Sequence, residues 1–326
     1  MLSAFREALY NPNVAGSASI HSSRGDMGRW LTFIVLTAII LAHHANCRKR
    51  RGTGRQSQSE CGRSEPLGRI INGEKLSKLQ IPWIVHVTTT FRDQNGQNQT
   101  IGCGGSILTN KVILTAAHCV TNSNDTLVNA TVYYNTSEAS GGHKSPVHRV
   151  IVHPKYKDTN KGNEGYDIAM MSLAEPLHYD RYVRPVCLPK KNRTLAERPV
   201  LAAGWGWTNP AGNSSDQLLY VVLKVLPDGR CKSELHDTTL ANVSSSLYLC
   251  THTPAKDICM GDSGGPVTVW NKDGLSVQVG IVSFTFGCGS SGYPSGFTRV
   301  SGHTGWIKES LKVRHCWKTL PIEFKE

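Results

Sequence analysis

Asp257-Ile258-Cys259-Met260-Gly261-Asp262-Ser263-Gly264-Gly265-Pro266 is a glycine-rich turn that presents one serine between an acid and two glycines. A serine hydroxyl is unreactive at neutral pH unless a base takes its proton and fixed donors stabilise the oxyanion that forms. Ser263 is therefore a candidate nucleophile only if partners lie elsewhere in the chain. Two stretches offer them. Thr115-Ala116-Ala117-His118-Cys119 sets a histidine beside a cysteine, and Asp167-Ile168-Ala169-Met170-Met171 opens an apolar strand with an aspartate. Taken singly, each has an ordinary explanation: a surface or core histidine, a strand start, a tight turn. Their joint occurrence in one chain does not.

Working outward, the 326 residues suffice for one large or two ordinary domains, and all-β folds often use more than about 200 residues for a single one. The formal net charge of +12 is unevenly spread: residues 1–69 carry ten Lys/Arg against four Asp/Glu, half of the excess. A basic surface made for nucleic acid would not concentrate its charge in a leader, so no nucleic-acid partner is expected. Ten cysteines occur without a single C-x-x-C pair of zinc-like spacing, which favours disulfides over metal ligands or catalytic thiols. Seven Asn-x-Ser/Thr acceptors, at Asn98, Asn124, Asn129, Asn135, Asn192, Asn213 and Asn242, also point to the secretory pathway.

The leader fits that route. The apolar run Trp30–Ala42 follows Arg24 and Arg29, and its thirteen residues match a signal peptide better than a membrane span. Ala45 and Cys47 allow cleavage after Cys47; the alternative is an uncleaved signal anchor and a single-pass type II membrane protein. The chain thus divides into residues 1–47 (extension and signal), 48–69 (propeptide or linker, rich in Gly, Ser, Arg and Gln), 70–317 (one domain) and 318–326 (tail). Within 70–317, short β-rich runs recur between turn residues, including Trp83–Thr90, Gly105–Leu108, Arg149–Val152, Ser246–Cys250 and Val277–Phe284. That pattern suits a sandwich or barrels and does not choose between them. Trp306, Ile307 and Leu311 sit at helical spacing and predict a terminal helix over Thr304–His315.

In the order His, Asp, Ser, the three stretches resemble the chymotrypsin-like serine proteases, and the resemblance runs from about Ile70 to Trp317. It implies an all-β fold of two six-stranded antiparallel barrels with a C-terminal helix. It also implies a serine endopeptidase in which Ser263 attacks, His118 is general base and then acid, Asp167 orients the imidazole, and Gly261 and Ser263 donate to the oxyanion. Arg69-Ile70 resembles the family's zymogen cleavage site, the freed ammonium of Ile70 pairing with Asp262. The template pairs Cys61 with Cys187, Cys103 with Cys119, Cys231 with Cys250 and Cys259 with Cys288, each worth roughly 2–4 kcal/mol. Val200 and Val269 stand where one further family disulfide would be, and Cys47 and Cys316 are left over.

The resemblance also implies the substrate pocket, lined by Asp257, Ser283, Thr285 and Ser295. Asp257 on its floor implies a preference for Arg or Lys at P1, because a carboxylate pairs bidentately with guanidinium. Thr285 and Ser295 replace two glycines of the trypsin-like pattern and narrow the route. Expected partners are a protein or peptide substrate and an activating protease, with serpin or Kunitz-type inhibitors as further candidates. No cofactor is expected. No metal is expected either, since Asn129–His148, where the family's calcium loop falls, carries only Glu138 as an acid. The alternative function is a catalytically silent homologue that acts as an extracellular binding protein.

Overall fold

The fold is described from a computed structural model over residues 61–65, 80–157, 165–190, 194–208, 212, 214–236, 243–254, 256–288 and 292–313. Arg69, Ile70, the apolar run 30–42, Cys47, Cys316, Asn192, Asn213 and Asn242 lie outside the described residues.

Strand β1 (Ile84–Arg92) shows the first barrel's construction, because Val85, Val87, Thr89 and Phe91 are buried while the residues between them are less so. Period-two burial means one face of the strand meets a core and the other faces outward. The strands β2 (Asn98–Thr109), β3 (Val112–Thr115), β4 (Thr126–Tyr134), β5 (His143–Val152) and β6 (Ala169–Leu173) join it in a closed antiparallel barrel, order β1-β2-β3-β6-β5-β4. Closure leaves no edge exposed to other chains. Val85, Val87, Ile107, Ile113, Leu114, Val132, Met170 and Met171 belong to the hydrophobic core around these strands, all fully buried.

The second half comprises β7 (Pro199–Gly204), β8 (Leu219–Lys224), β9 (Tyr248–Thr251), β10 (Pro266–Trp270), β11 (Ser276–Phe284) and β12 (Ser295–Arg299), a six-stranded barrel-like sheet in the order β8-β7-β10-β11-β12-β9. A lone antiparallel bridge between Val225 and Thr251 brings its two ends together. Val200, Ala202, Leu223, Leu249, Val267, Val282 and Phe297 form its core. Between the two halves the buried Ser106 hydroxyl donates to Gln278 Oε1 at 2.6 Å, so even this polar pair is satisfied where water is excluded.

Several elements exceed what local pattern shows. β2 begins at Asn98 rather than Gly105, because β1 pairs with it residue by residue out to Arg92 against Asn98 in a polar hairpin. β5 begins at His143, six residues before its apolar run, because β4 supplies partners as far as Tyr134. Helix α1 (Asp228–Glu234) has too few apolar residues to signal itself; only Cys231 is buried within it, and an Arg230–Glu234 pair one turn apart supports its surface. Helix α2 (Val300–Val313) starts four residues earlier than the sequence predicts, running directly out of β12 with Val300, His303 and Ile307 buried. Among the described residues no helix is long and apolar enough to cross a membrane.

The four expected disulfides are all formed: Cys61–Cys187, Cys103–Cys119, Cys231–Cys250 and Cys259–Cys288. Cys61–Cys187 is reinforced by backbone bonds from Gly62 N to Pro185 O and from Ser276 N to Gly62 O, which seat residues 61–65 against the domain. Of the described glycosylation acceptors, Asn98, Asn124 and Asn129 are exposed, and Asn135 is half-buried with φ +56°.

Candidate active site

The two halves of the chain bring the three stretches to one place. β3 ends at Thr115 and leads into a single 3-10 turn, Ala117–Cys119, whose middle residue is His118. The Cys103–Cys119 disulfide ties that turn back to β2. Asp167 lies two residues before β6, which pairs with β3 at Thr115 against Ala169, so the barrel's own register sets the acid beside the histidine. Asp167 Oδ1 accepts the His118 backbone N–H at 3.0 Å, and Oδ2 faces His118 Nδ1 at 2.8 Å.

Asp167 is completely buried. Burial alone would push its carboxyl up; the facing His118 charge and hydrogen bonds from the His118 ring, the Ser283 hydroxyl and the His118 backbone together hold it below the usual carboxylate range. Two of its restraints come from the second half. Ser283 Oγ donates to Asp167 Oδ2 at 2.5 Å, and Thr298 Oγ1 donates to the Asp167 backbone carbonyl at 2.7 Å. The Ser283 side chain, expected among the substrate-binding residues, also holds the acid. Thr298 was invisible to sequence reasoning, since a buried threonine in a strand carries no signal of what it holds.

Ser263 is fixed through its main chain, its carbonyl accepting from Gly104 N at 2.7 Å. The next two residues must be glycine for this approach. A Cβ on Gly264, where φ is +79°, would strike Thr115 Oγ1 and Gly104 O, and one on Gly265 would meet Asp262 O at 2.8 Å. The turn therefore lies directly on β2 and the end of β3. Gly261 has φ +93°, a conformation that a side chain would strain. Among the described residues, the N–H groups of Gly261 and Ser263 donate to no backbone acceptor, which leaves two donors on one turn beside the serine.

Between these donors Asp262 points the other way, its Oδ1 accepting from Gly206 N at 2.8 Å and its Oδ2 from Cys259 N at 2.9 Å. Burial pushes this carboxyl up to about 6, against the lowering effect of those two N–H bonds and with a smaller upward push from Asp257. Asp257, Thr285 and Ser295 meet as well: Ser295 Oγ donates to Asp257 Oδ1 at 2.5 Å and Thr285 Oγ1 to Oδ2 at 3.1 Å. Cys259–Cys288 pins the chain beside this cluster. Of the described residues, one group of potential metal ligands is close enough to share an ion, Cys103, His118 and Cys119. Its two sulfurs are joined in a disulfide and offer no thiolate.

The family model described as trypsin matches residues 70–307. The chain belongs to the trypsin family. This trypsin-family protein is accordingly a serine endopeptidase, a hydrolase of peptide bonds. It is 31% identical over 273 residues to phenoloxidase-activating factor 3 of Holotrichia diomphalia, covering 78% of this chain and 76% of that one. It is 28% identical over 317 residues to the clotting factor G beta subunit of Tachypleus tridentatus, covering 91% and 99%. Serine proteinase stubble of Drosophila melanogaster is 30% identical over 269 residues, 78% of this chain and 33% of the relative, so the chain spans about a third of that protein.

Proposed function

We propose that this trypsin-family chain cleaves protein substrates through a His118–Asp167–Ser263 triad and is made as a zymogen activated by cutting after Arg69. The supporting observation is the two-point grip of Asp167 on His118, through backbone N–H and Nδ1, which leaves Nε2 as the ring atom able to exchange a proton with Ser263. In the reaction, Ser263 Oγ bonds to the scissile carbonyl carbon while its proton passes to His118 Nε2. The carbonyl oxygen becomes an oxyanion facing the N–H groups of Gly261 and Ser263. Collapse breaks the C–N bond as the leaving amine takes the proton from Nε2, and water then hydrolyses the acyl-enzyme by the same route. Asp167, ionised and buried, stabilises the imidazolium and fixes its tautomer.

Activation is supported by the enclosed Asp262, an acid that burial leaves at about 6 and that lacks a cation among the described residues. The ammonium of Ile70, freed by cleavage, would supply one and hold the oxyanion turn. Asp257 is the acid at the floor of the primary pocket, and Thr285 and Ser295 narrow the approach to it. The seven glycosylation acceptors and the disulfides support secretion, with membrane attachment only if the leader stays uncleaved as an anchor. Two relatives are named for phenoloxidase activation and for clotting, which supports limited cleavage of precursor proteins under the control of an upstream protease and of protein inhibitors.

The test is labelling by diisopropyl fluorophosphate. Purified protein cut after Arg69 should be labelled at Ser263 and the Arg69→Ala protein should not. Cut protein that takes no label would instead make the chain a silent binding protein, and full activity of Arg69→Ala would remove the zymogen step.

A further inference from the structure

We infer that Thr285 and Ser295 close the primary pocket above Asp257, so that this endopeptidase accepts short uncharged side chains at P1 and excludes Arg and Lys. The inference rests on the endopeptidase reading above and departs from the basic preference that an acidic floor alone suggests.

The two hydroxyls stand side by side on neighbouring, paired strands. Thr285 follows the last residue of β11 and Ser295 is the first of β12, the strands being paired just there at Phe284 and Gly296. Their oxygens are only 3.0 Å apart, within hydrogen-bond distance of each other. Both also donate to Asp257, so a lysine or arginine side chain reaching for the carboxylate has to displace them.

The acid beneath is also occupied. Asp257 Oδ1 already accepts from Ile258 N at 2.8 Å and from Ser295 Oγ at 2.5 Å, which uses both of its acceptor directions. Oδ2 accepts from Thr285 Oγ1 at 3.1 Å. A guanidinium needs the two oxygens side by side for its fork. Admitting one would therefore break two hydrogen bonds to the carboxyl group and part the two hydroxyls.

The walls have little room to part. The Phe284 ring fills the place that a side chain on Gly296 would take, and packs toward the buried cluster of Leu226, Cys231, Leu235, Tyr248 and Cys250. Ser295 itself is 2% exposed, and Cys259–Cys288 ties the floor loop to the segment after Thr285. A P1 side chain that stops short of these hydroxyls leaves their bonds to Asp257 intact, and alanine and serine are short enough to do so.

The experiment uses protein cut after Arg69 and a peptide library varied at P1, with diisopropyl fluorophosphate labelling of the same sample as the measure of competent enzyme. Ala and Ser at P1 should exceed Arg and Lys in kcat/KM by about 100-fold, the size expected from overpacking a rigid site. Benzamidine, an arginine-side-chain mimic whose binding needs no catalysis, should fail to bind the parent protein. The double variant Thr285→Gly, Ser295→Gly should bind it and gain cleavage after Arg. A labelled parent enzyme that prefers Arg or Lys, directly or through a bridging water, or that binds benzamidine, overturns the closure while leaving the endopeptidase reading intact. If no label is taken up, the endopeptidase reading fails, and benzamidine binding still decides whether the pocket is open.

Discussion

Ser283 shows how much one hydroxyl can carry. It donates to the buried carboxylate of Asp167, and removing a donor from a buried charge costs about 1–3 kcal/mol. Ser283→Ala should lower kcat/KM roughly tenfold. It should also move the acid limb of the pH profile upward, because the Asp167 carboxylate, relieved of one donor, stabilises the His118 imidazolium more strongly; a role confined to stability would leave that limb in place. Gly206 is constrained for the opposite reason, since a Cβ there would sit 2.5–2.7 Å from three carboxylate atoms of Asp262. Gly206→Ala should therefore displace Asp262 and the adjacent oxyanion donor. Cut Gly206→Ala enzyme should lose on the order of tenfold to a hundredfold in kcat, as overpacking by about 1–3 kcal/mol implies; wild-type kcat would separate Asp262 from the oxyanion turn.

At the scale of elements, the segment leading into Asp167 is held by a ring cluster on helix α2 and the end of β5. His153 N donates to Ile168 O at 3.1 Å, and a His303 ring nitrogen pairs with Gly165 O at 2.9 Å. His153 stacks on Tyr166 at 4.8 Å and touches His303 and Trp306, while the Lys155 ammonium lies 5.4 Å from the Tyr166 ring centre. Burial, then the charges of His303 and Lys155, push the His153 imidazole down to about 4. The unfolded chain therefore binds a proton that the folded chain refuses, and stability falls as pH drops from about 6.5 toward 4. Thermal melts of cut Ser263→Ala protein should show this fall, and adding His153→Phe should flatten it. An unchanged slope would assign the acid sensitivity to other groups.

For the whole molecule the controlling group is Asp262, whose raised pKa acts in the opposite sense. In the uncut chain the folded state binds its proton more tightly than the unfolded state, so this contribution is present at low pH and is lost as pH rises from about 4 to about 6. The size is at most about 3 kcal/mol, a shift in Tm of several degrees for a domain of this length. Cleavage after Arg69 would give the carboxylate a cation and cancel the loss. Uncut Ser263→Ala protein should thus melt lower at pH 7 than its cut form, with the difference shrinking toward pH 4. Equal Tm for cut and uncut protein at pH 7 would mean that the Ile70 ammonium does not reach Asp262.

The sequence by itself offered the members of the candidate site: Ser263 in a glycine-rich turn, His118 beside a cysteine, and Asp167 at the head of an apolar strand. It determined the strands wherever the apolar run was strong, as at Ala169–Leu173. It did not determine α1, the polar half of β5 or the part played by Thr298, because each depends on partners distant in the chain rather than on local pattern. Above all it left the substrate pocket open to two readings. Asp257, Thr285 and Ser295 are 10 to 38 residues apart, and residue types alone do not say whether two hydroxyls turn toward an acid or leave it bare. Tertiary structure decided that, because the register of β11 on β12 sets the two hydroxyls 3.0 Å apart, each donating to the carboxylate.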